Sequence, residues 1–313
     1  MFKKLTFISA LFVFGFIVQL IRYWPSSNLE LVFCDVDQGD SILIKYGFWQ
    51  MLIDTGPGDQ VLECLRQNMP FWDKSLEVLL ITHTDADHIG GCADVLNNYQ
   101  IDELFLADTA ASETYKNVLK QLLTRKSQQT KIKSAFLGQQ ISFTSGGRLL
   151  FLAPDEGRLP MVNSNANSFS ETLLSDATLL EPHGDDDPNE RSIILLLKYF
   201  NFDFLLMGDA SQENELALLD RGLIKNVEGI KIGHHGSKTS SNQEFISKIQ
   251  PETAVISCGY NNKFGHPSLE VMQILNRHQV QVLRTDELGT IKLITDGNTY
   301  WISSHKCVNK ATD

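Results

Sequence analysis

The sequence predicts an α/β (α+β) fold built as a four-layer αββα sandwich, and three observations lead there. Apolar runs of strand length outnumber helical stretches, they fall into two sets, and residues able to bind metal come from both halves of the chain. The last point favours one large domain over two. At 313 residues and 42% hydrophobic content the chain can bury a sizeable core.

The first element stands apart from the sandwich. Lys3 and Lys4 precede Leu5 to Ile21, a mostly apolar, uncharged stretch that as a helix spans about 25 Å, the short limit for crossing a hydrocarbon core. Residues 1–28 therefore read as a signal-anchor or signal peptide. No small-x-small site precedes Ser26, which favours a retained anchor. With the lysines on the cytoplasmic side, the remainder would lie outside the cytoplasm.

Residues 29–305 form the expected domain and 306–313 a tail. Leu29 to Phe33, Ser41 to Lys45, Trp49 to Ile53 and Val78 to Ile81 read as strands, with helices over Gln60 to Asn68 and Ile89 to Asn97. Ile141 to Phe143, Arg148 to Leu152, Ile193 to Phe200, Phe204 to Met207 and Gly229 to Ile232 repeat the strand pattern. A helix over Leu269 to Arg277 leads to a strand at Val280 to Leu283. Thr290 to Ser303 reads as a hairpin turning at Asp296-Gly297. Residues 154–191 are polar and aperiodic, which predicts a lid, an insertion or disorder.

The chemistry concentrates in Ile-Thr-His83-Thr-Asp85-Ala-Asp87-His88-Ile-Gly-Gly. It closes an apolar run, so its side chains reach the crevice at the carboxyl end of a strand. Alternation points His83 and Asp85 one way and turns Asp87 and His88 toward a second position, a layout for two metal ions. A helix N-cap would explain one of the aspartates but not two bracketing histidines. Asp209 follows the apolar run Phe204 to Met207 and could bridge two ions, or be an ordinary turn aspartate. His234 and His235 follow another apolar run, and on an extended segment only one of them would be a ligand.

The same string resembles the His-x-His-x-Asp-His signature of the metallo-β-lactamase fold, with Asp85 in place of the second histidine. Asp35-Val-Asp37-Gln38-Gly39-Asp40-Ser41, Leu52-Ile-Asp54-Thr-Gly56, Gly208-Asp209, Gly233-His234-His235-Gly236-Ser237-Lys238-Thr239-Ser240 and Gly265-His266-Pro267 are similar, in order, to motifs of the soluble C-terminal domain of the ComEC family of bacterial DNA-uptake channels. Two departures stand out. Asp37 replaces a usual glycine, and the phrase before the strand at residue 192 carries Asn189 where the fold usually has its third histidine, with His183 nearby as a rival. The resemblance implies metal ligation by His83, Asp85, Asp87, His88, Asp209, Asn189 and His234 or His235. It also implies that Asp54 orients ligands from behind, Asp87 and His266 act in catalysis, and Ser237, Lys238 and Ser240 bind phosphate.

The expected cofactors are two divalent ions, zinc, manganese or magnesium, with Asp85 shifting the preference away from zinc. Ions about 3.5–4 Å apart lower the pKa of a shared water toward roughly 7. Hydrolysis of a DNA phosphodiester is the first expectation, on the extracytoplasmic side of a bacterial inner membrane and beside DNA-uptake components. A small-molecule ester, lactam or phosphodiester hydrolase and a noncatalytic metal-stabilised subunit are the alternatives. No polytopic channel is present in these residues. The net charge of -11 argues against coating long nucleic acid. Lys116, Lys120, Arg125, Lys126, Lys131 and Lys133 form the one basic concentration, at the spacing of a solvated helical face. Cys34, Cys64, Cys92, Cys258 and Cys307 are odd in number without paired spacing, so buried thiols rather than disulfides are expected.

Overall fold

A computed structural model describes residues 13–15, 18, 24, 26–106, 130–154 and 188–305. The strands in chain order are β1 (Leu29–Phe33), β2 (Ile42–Tyr46), β3 (Trp49–Ile53), β4 (Ser75–Ile81), β5 (Gln100–Leu106) and β6 (Lys131–Ser134). Then come β7 (Gln140–Thr144), β8 (Gly147–Ala153), β9 (Ile194–Tyr199), β10 (Phe202–Leu206), β11 (Gly229–Lys231), β12 (Thr253–Ile256) and β13 (Gln281–Arg284). β14 (Thr290–Thr295) and β15 (Tyr300–His305) return to the first sheet. The first sheet runs β15-β14-β1-β2-β3-β4-β5-β6 and the second β13-β12-β11-β10-β9-β8-β7.

Period-two alternation divides each strand between two cores. In β1, Leu29, Leu31 and Phe33 face the space between the sheets, as do Val78 and Leu80 of β4 and Phe202, Phe204 and Leu206 of β10. Val32, Leu79 and Ile81 turn outward to helices Gln60–Asn68 and Cys92–Asn98. Leu205 and Met207 face Phe245, Ile246 and Leu275 on helices Gln243–Ile249 and Leu269–Arg277. The result is the αββα sandwich the sequence predicts.

β3, β4, β5 and β6 are parallel neighbours, and so are β10, β11, β12 and β13. Their carboxyl ends open on a common rim, where parallel sheets place chemistry because the following loops leave the sheet there. Asp54, His83, Asp209 and His235 all lie just past such ends.

The structure corrects several expectations. The helix expected over Ile89 to Asn97 is two pieces, Ala86–Ile89 and Cys92–Asn98. A side chain on Gly91 would stand 2.3 Å from Gly58 O and 2.5 Å from Thr55 O, so the pair Gly90-Gly91 lets the preceding loop pack against the break. β5, β6 and β12 and helices Gln212–Asp220 and Gln243–Ile249 have no counterpart in the sequence reading.

Lys131 and Lys133 lie on β6 rather than on a helical face, and Lys133 Nζ pairs with Glu103 Oε2 at 2.7 Å. Lys116, Lys120, Arg125 and Lys126 lie outside the described residues, as do His183, Cys307, most of residues 154–191 and most of the Leu5 to Ile21 stretch. Among the described residues no helix is long and apolar enough to cross a membrane.

The cysteine expectation is overturned at one pair. Cys34 and Cys64 form a disulfide, with Cα atoms 5.8 Å apart. Their separation of 30 residues hid the pairing, which arises because the helix Gln60–Asn68 packs on the outer face of β1. Cys92 and Cys258 are buried thiols, as expected.

Candidate metal centre

Asp54 leaves the end of β3 with a left-handed φ of 56°, and its N–H donates to Leu80 O of the parallel neighbour at 2.8 Å. That turn aims its carboxylate along the rim. Thr82 N–H donates to Asp54 Oδ1 (2.7 Å) and Thr82 Oγ1 to Asp54 Oδ2 (2.6 Å), while His88 Nδ1 lies 2.7 Å from Asp54 Oδ2.

These bonds fix the tautomers. The Thr82 hydroxyl hydrogen goes to Asp54, so its oxygen, 3.1 Å from His83 Nδ1, receives the His83 Nδ1–H. His88 Nδ1–H donates to Asp54. His235 Nδ1–H donates to Ser257 O at 2.9 Å. All three rings therefore present Nε2 to the centre, which is how a metal-binding histidine is held.

The three Nε2 atoms converge on Asp209. Asp209 Oδ1 is 3.3 Å from His88 Nε2, and Oδ2 is 3.9 Å from His83 Nε2 and 3.5 Å from His235 Nε2. Asp87 Oδ2 lies 3.3 Å from His235 Nε2. Among the described residues none of the three Nε2 atoms, nor Asp209 Oδ1, has a hydrogen-bond partner, although all are buried. Unpaired buried polar atoms are costly, and four meeting at one carboxylate are a set of donors that a divalent cation satisfies.

Protonation agrees with that fit. Burial, followed by the neighbouring His88, lowers His83 to about 3. Burial alone would raise Asp87, but the His235 ring beside it outweighs this and brings it to about 2. Burial likewise opposes the charge on Asp209, which His235 and His88 nevertheless hold well below the carboxylate range. Burial would lower His88 and His235. The Asp209 and Asp54 carboxylates outweigh it at His88, and Asp209 and Asp40 outweigh it at His235, so both rings are raised. A bound cation would take the place of the protons that these two rings hold.

Four overlapping groups have ligand atoms within 4.8 Å of one another: His83, His88 and Asp209; Asp87, His88 and His235; Asp40, Asp54 and His88; Asp40, Asp209 and His235. His88 is thus shared between the His83 and Asp87 sides instead of siding with Asp87 alone, because Asp54 pins its ring 4.0 Å from that of His83. Asp85 stands at the edge. It occupies the N-cap position of helix Ala86–Ile89 without a capping hydrogen bond from its side chain, and its Oδ2 is 3.8 Å from His83 Nε2.

The expectation that only one of His234 and His235 can face the centre assumed extended backbone. Both residues have left-handed φ, 47° and 53°, so both rings turn to the same side. His234 Nε2 reaches only 4.0 Å from Asp209 Oδ2 and stays part exposed, which leaves His235 as the inner member.

A sequence profile described as the Metallo-beta-lactamase superfamily matches residues 34–260. The chain belongs to this superfamily. Among relatives, it is 29% identical over 306 residues to the "ComE operon protein 3" of Bacillus subtilis, covering 88% of this chain and 34% of that protein. It is 27% identical over 284 residues to the "Recombination protein 2" of Haemophilus influenzae, covering 89% and 30%. The chain therefore spans about a third of the length of these relatives. The crystal structure of the metallo-beta-lactamase fold protein YhfI from Bacillus subtilis superposes with a TM-score of 0.50 at 11% identity, covering 82% of this chain and 95% of that one; that likeness concerns the fold.

Within this superfamily member the remaining nominated residues take different places. Asp37 keeps a glycine-like φ of 66°, so the departure preserves the backbone path, at a position aspartate tolerates better than most residues. Asn189 is half-buried on the turn Pro188–Arg191 and its carbonyl accepts from Ser192 N–H. His266 adjoins the centre, its ring centroid 6.5 Å from that of His235, and burial followed by the two nearby histidines lowers its pKa.

Ser240 is buried and donates its hydroxyl to Ser237 O at 2.9 Å, while Ser237 Oγ accepts from Thr239 Oγ1 at 3.0 Å. These hydroxyls brace the turn. Of the nominated phosphate contacts, Lys238 is the exposed one.

Three supports escaped the sequence reading. Lys231 is wholly buried at the end of β11, where its Nζ pairs with Asp40 Oδ2 and lies 3.4 Å from Gly208 O. A lysine inside Gly229-Ile-Lys-Ile was the available signal. Ser192 Oγ accepts from Asp209 N–H at 2.9 Å, and a side chain on Gly208 would meet that hydroxyl at 2.2 Å. Glu215 accepts Ser241 N–H and Asn242 N–H at 2.7 and 2.6 Å, holding the loop after the histidine pair.

Proposed function

We propose that this superfamily hydrolase is a two-metal phosphodiesterase that cleaves DNA. The observation that carries the reading is the convergence of three bare, buried Nε2 atoms on the two oxygens of Asp209. The resemblance of the chain's motifs to the ComEC family of DNA-uptake channels supports the DNA context. His83, Asp87, His88, Asp209 and His235 would hold the ions, with Asp85, His234 and Asn189 as outer candidates. Bound there, divalent ions would supply a water nucleophile at neutral pH and neutralise charge building on phosphoryl oxygens.

The chain's own groups supply the rest. Asp54 and Thr82 lock the imidazoles so that Nε2 geometry does not drift. Asp87 stays ionised and can accept a hydrogen bond from the attacking water. His266, kept neutral, can donate an N–H to a phosphoryl oxygen or to the leaving group, and Lys238 offers a solvent-side cation for the next phosphate.

The test is elemental analysis of the full chain, followed by hydrolysis of labelled single- and double-stranded DNA and a simple phosphodiester in Mn²⁺, Mg²⁺ and Zn²⁺. Metal-dependent cleavage supports the reading. Stoichiometric metal with no phosphodiester cleavage, but with lactam or ester turnover, overturns it.

The proposal includes residence on the extracytoplasmic side of a bacterial inner membrane, held by Leu5 to Ile21. The Cys34–Cys64 disulfide supports it, because such bonds persist in oxidising compartments. Retention in the alkaline-carbonate pellet, with protease access from outside in spheroplasts, is the expected result. A protein recovered in the cytoplasmic fraction would refute it.

A further inference from the structure

The loop Gly259–Pro267 carries Tyr260, 81% exposed, and Phe264, 56% exposed, directly beside the metal centre. Nothing in the hydrolytic machinery uses them. Phe264 is not a stray surface aromatic. Its ring lies 5.7 Å from that of His266 at an interplanar angle of 22°, and the His266 ring lies 6.5 Å from that of His235 at 26°. Three near-parallel rings therefore step outward from the candidate metal ligands to solvent.

The loop is built to hold this ladder. Asn262 accepts His266 N–H on Oδ1 at 3.0 Å and donates Nδ2 to His266 O and Gly259 O at 2.6 and 3.0 Å. These bonds brace the main chain on both sides of Phe264, whose ring stays exposed next to that of His266. Lys263 Nζ lies 5.0 Å from the Phe264 centroid.

We infer that Phe264 is a stacking platform for an unpaired nucleobase, placed so that single-stranded nucleic acid is held with a neighbouring phosphate at the metal centre. Three features favour this occupant. A base presents a flat π-face to an exposed ring that already lies within 22° of the plane of His266. The exposed ammonium of Lys263 makes only a weak contact with the ring, and a bound strand would displace it toward its own phosphate. A chain of net charge -11 needs such a sequence-tolerant, local anchor, because long-range attraction of a polyanion is not available to it. A duplex keeps its bases stacked and cannot use the platform.

The inference deepens the phosphodiesterase reading and rests on it, but its test reads binding. Fluorescence anisotropy would compare the full-length wild type, Phe264→Ala, Phe264→Leu and Phe264→Tyr on three probes. These are a hydrolysis-resistant phosphorothioate oligothymidylate, an abasic strand of equal length, and a duplex. Wild type should bind the oligothymidylate more tightly than the other two. Phe264→Ala and Phe264→Leu should lose about 5- to 100-fold on oligothymidylate with little change on the abasic strand, and Phe264→Tyr should retain wild-type affinity. Equal loss on both single strands, wild-type affinity in the leucine variant, or no base-dependent binding by wild type would overturn it. Cleavage of a simple phosphodiester without base-dependent binding sinks the platform alone. Base-dependent binding without any cleavage sinks the phosphodiesterase reading alone.

Discussion

Asp54 Oδ2 lies 2.7 Å from His88 Nδ1, and this one bond turns the opposite nitrogen of the ring, Nε2, to within 3.3 Å of Asp209 Oδ1. A carboxylate behind an imidazole fixes both its tautomer and its direction. Removing it should therefore act at a distance from the ions. Asp54→Ala is expected to weaken metal affinity by about 10–100-fold, whereas His83→Ala and Asp209→Ala should abolish stoichiometric binding with the fold retained. Metal titration with circular dichroism as the fold control checks this. Wild-type affinity in Asp54→Ala would show that the hydrogen bond does not orient the ligand.

Asp85 is the unusual member of the string. Its Oδ2 lies 3.8 Å from His83 Nε2, on the rim of the candidate centre. Asp85→His should raise zinc affinity relative to manganese, because a borderline nitrogen replaces a hard oxygen. Competitive titration of both proteins decides it. A lowered melting temperature with an unchanged affinity ratio would make Asp85 a structural residue after all.

The disulfide closes a loop of 30 residues between β1 and the helix that covers it. Loops of that length stabilise by about 3–4 kcal/mol through the unfolded chain. Cys34→Ser should cost this amount by urea denaturation, and alkylation of the denatured, unreduced protein should label Cys92 and Cys258 while sparing Cys34 and Cys64. Full labelling of Cys34 would remove the bond from the account.

Glu215 supplies a pH test away from the metal. Its burial raises the carboxyl from 4.5 to about 8, against the pull of two backbone N–H donors. For a carboxyl raised on folding, the native state keeps a proton that the unfolded chain releases, so its contribution is fullest below pH 4.5 and is lost as pH climbs to about 8. The stability of wild type relative to Glu215→Gln should therefore decline across that range, measured in chelator. A gap that widens with pH would mean that the backbone donors win and the carboxylate is ionised throughout.

Strand alternation, the four layers and the candidate ligands His83, Asp87, His88 and Asp209, with one of His234 and His235, were legible in the amino-acid order. Each is a local property: an apolar run of period two, or a donor placed just past its end, which any fold that buries the run must deliver to the rim. The remaining features depend on approach between segments distant in the chain. The Cys34–Cys64 bond, the Lys231–Asp40 pair across 191 residues and the cradle of Ser192 around Gly208 have no spacing signal. The conformation of His234-His235 is of the same kind: the glycine-flanked pair reads as extended in isolation, and in the packed structure both residues take left-handed φ, with His235 the buried one. The division follows from the physics. Patterning along one strand is written in consecutive residues, whereas burying a charge or joining two sulfurs requires partners that only the packed sheets bring together.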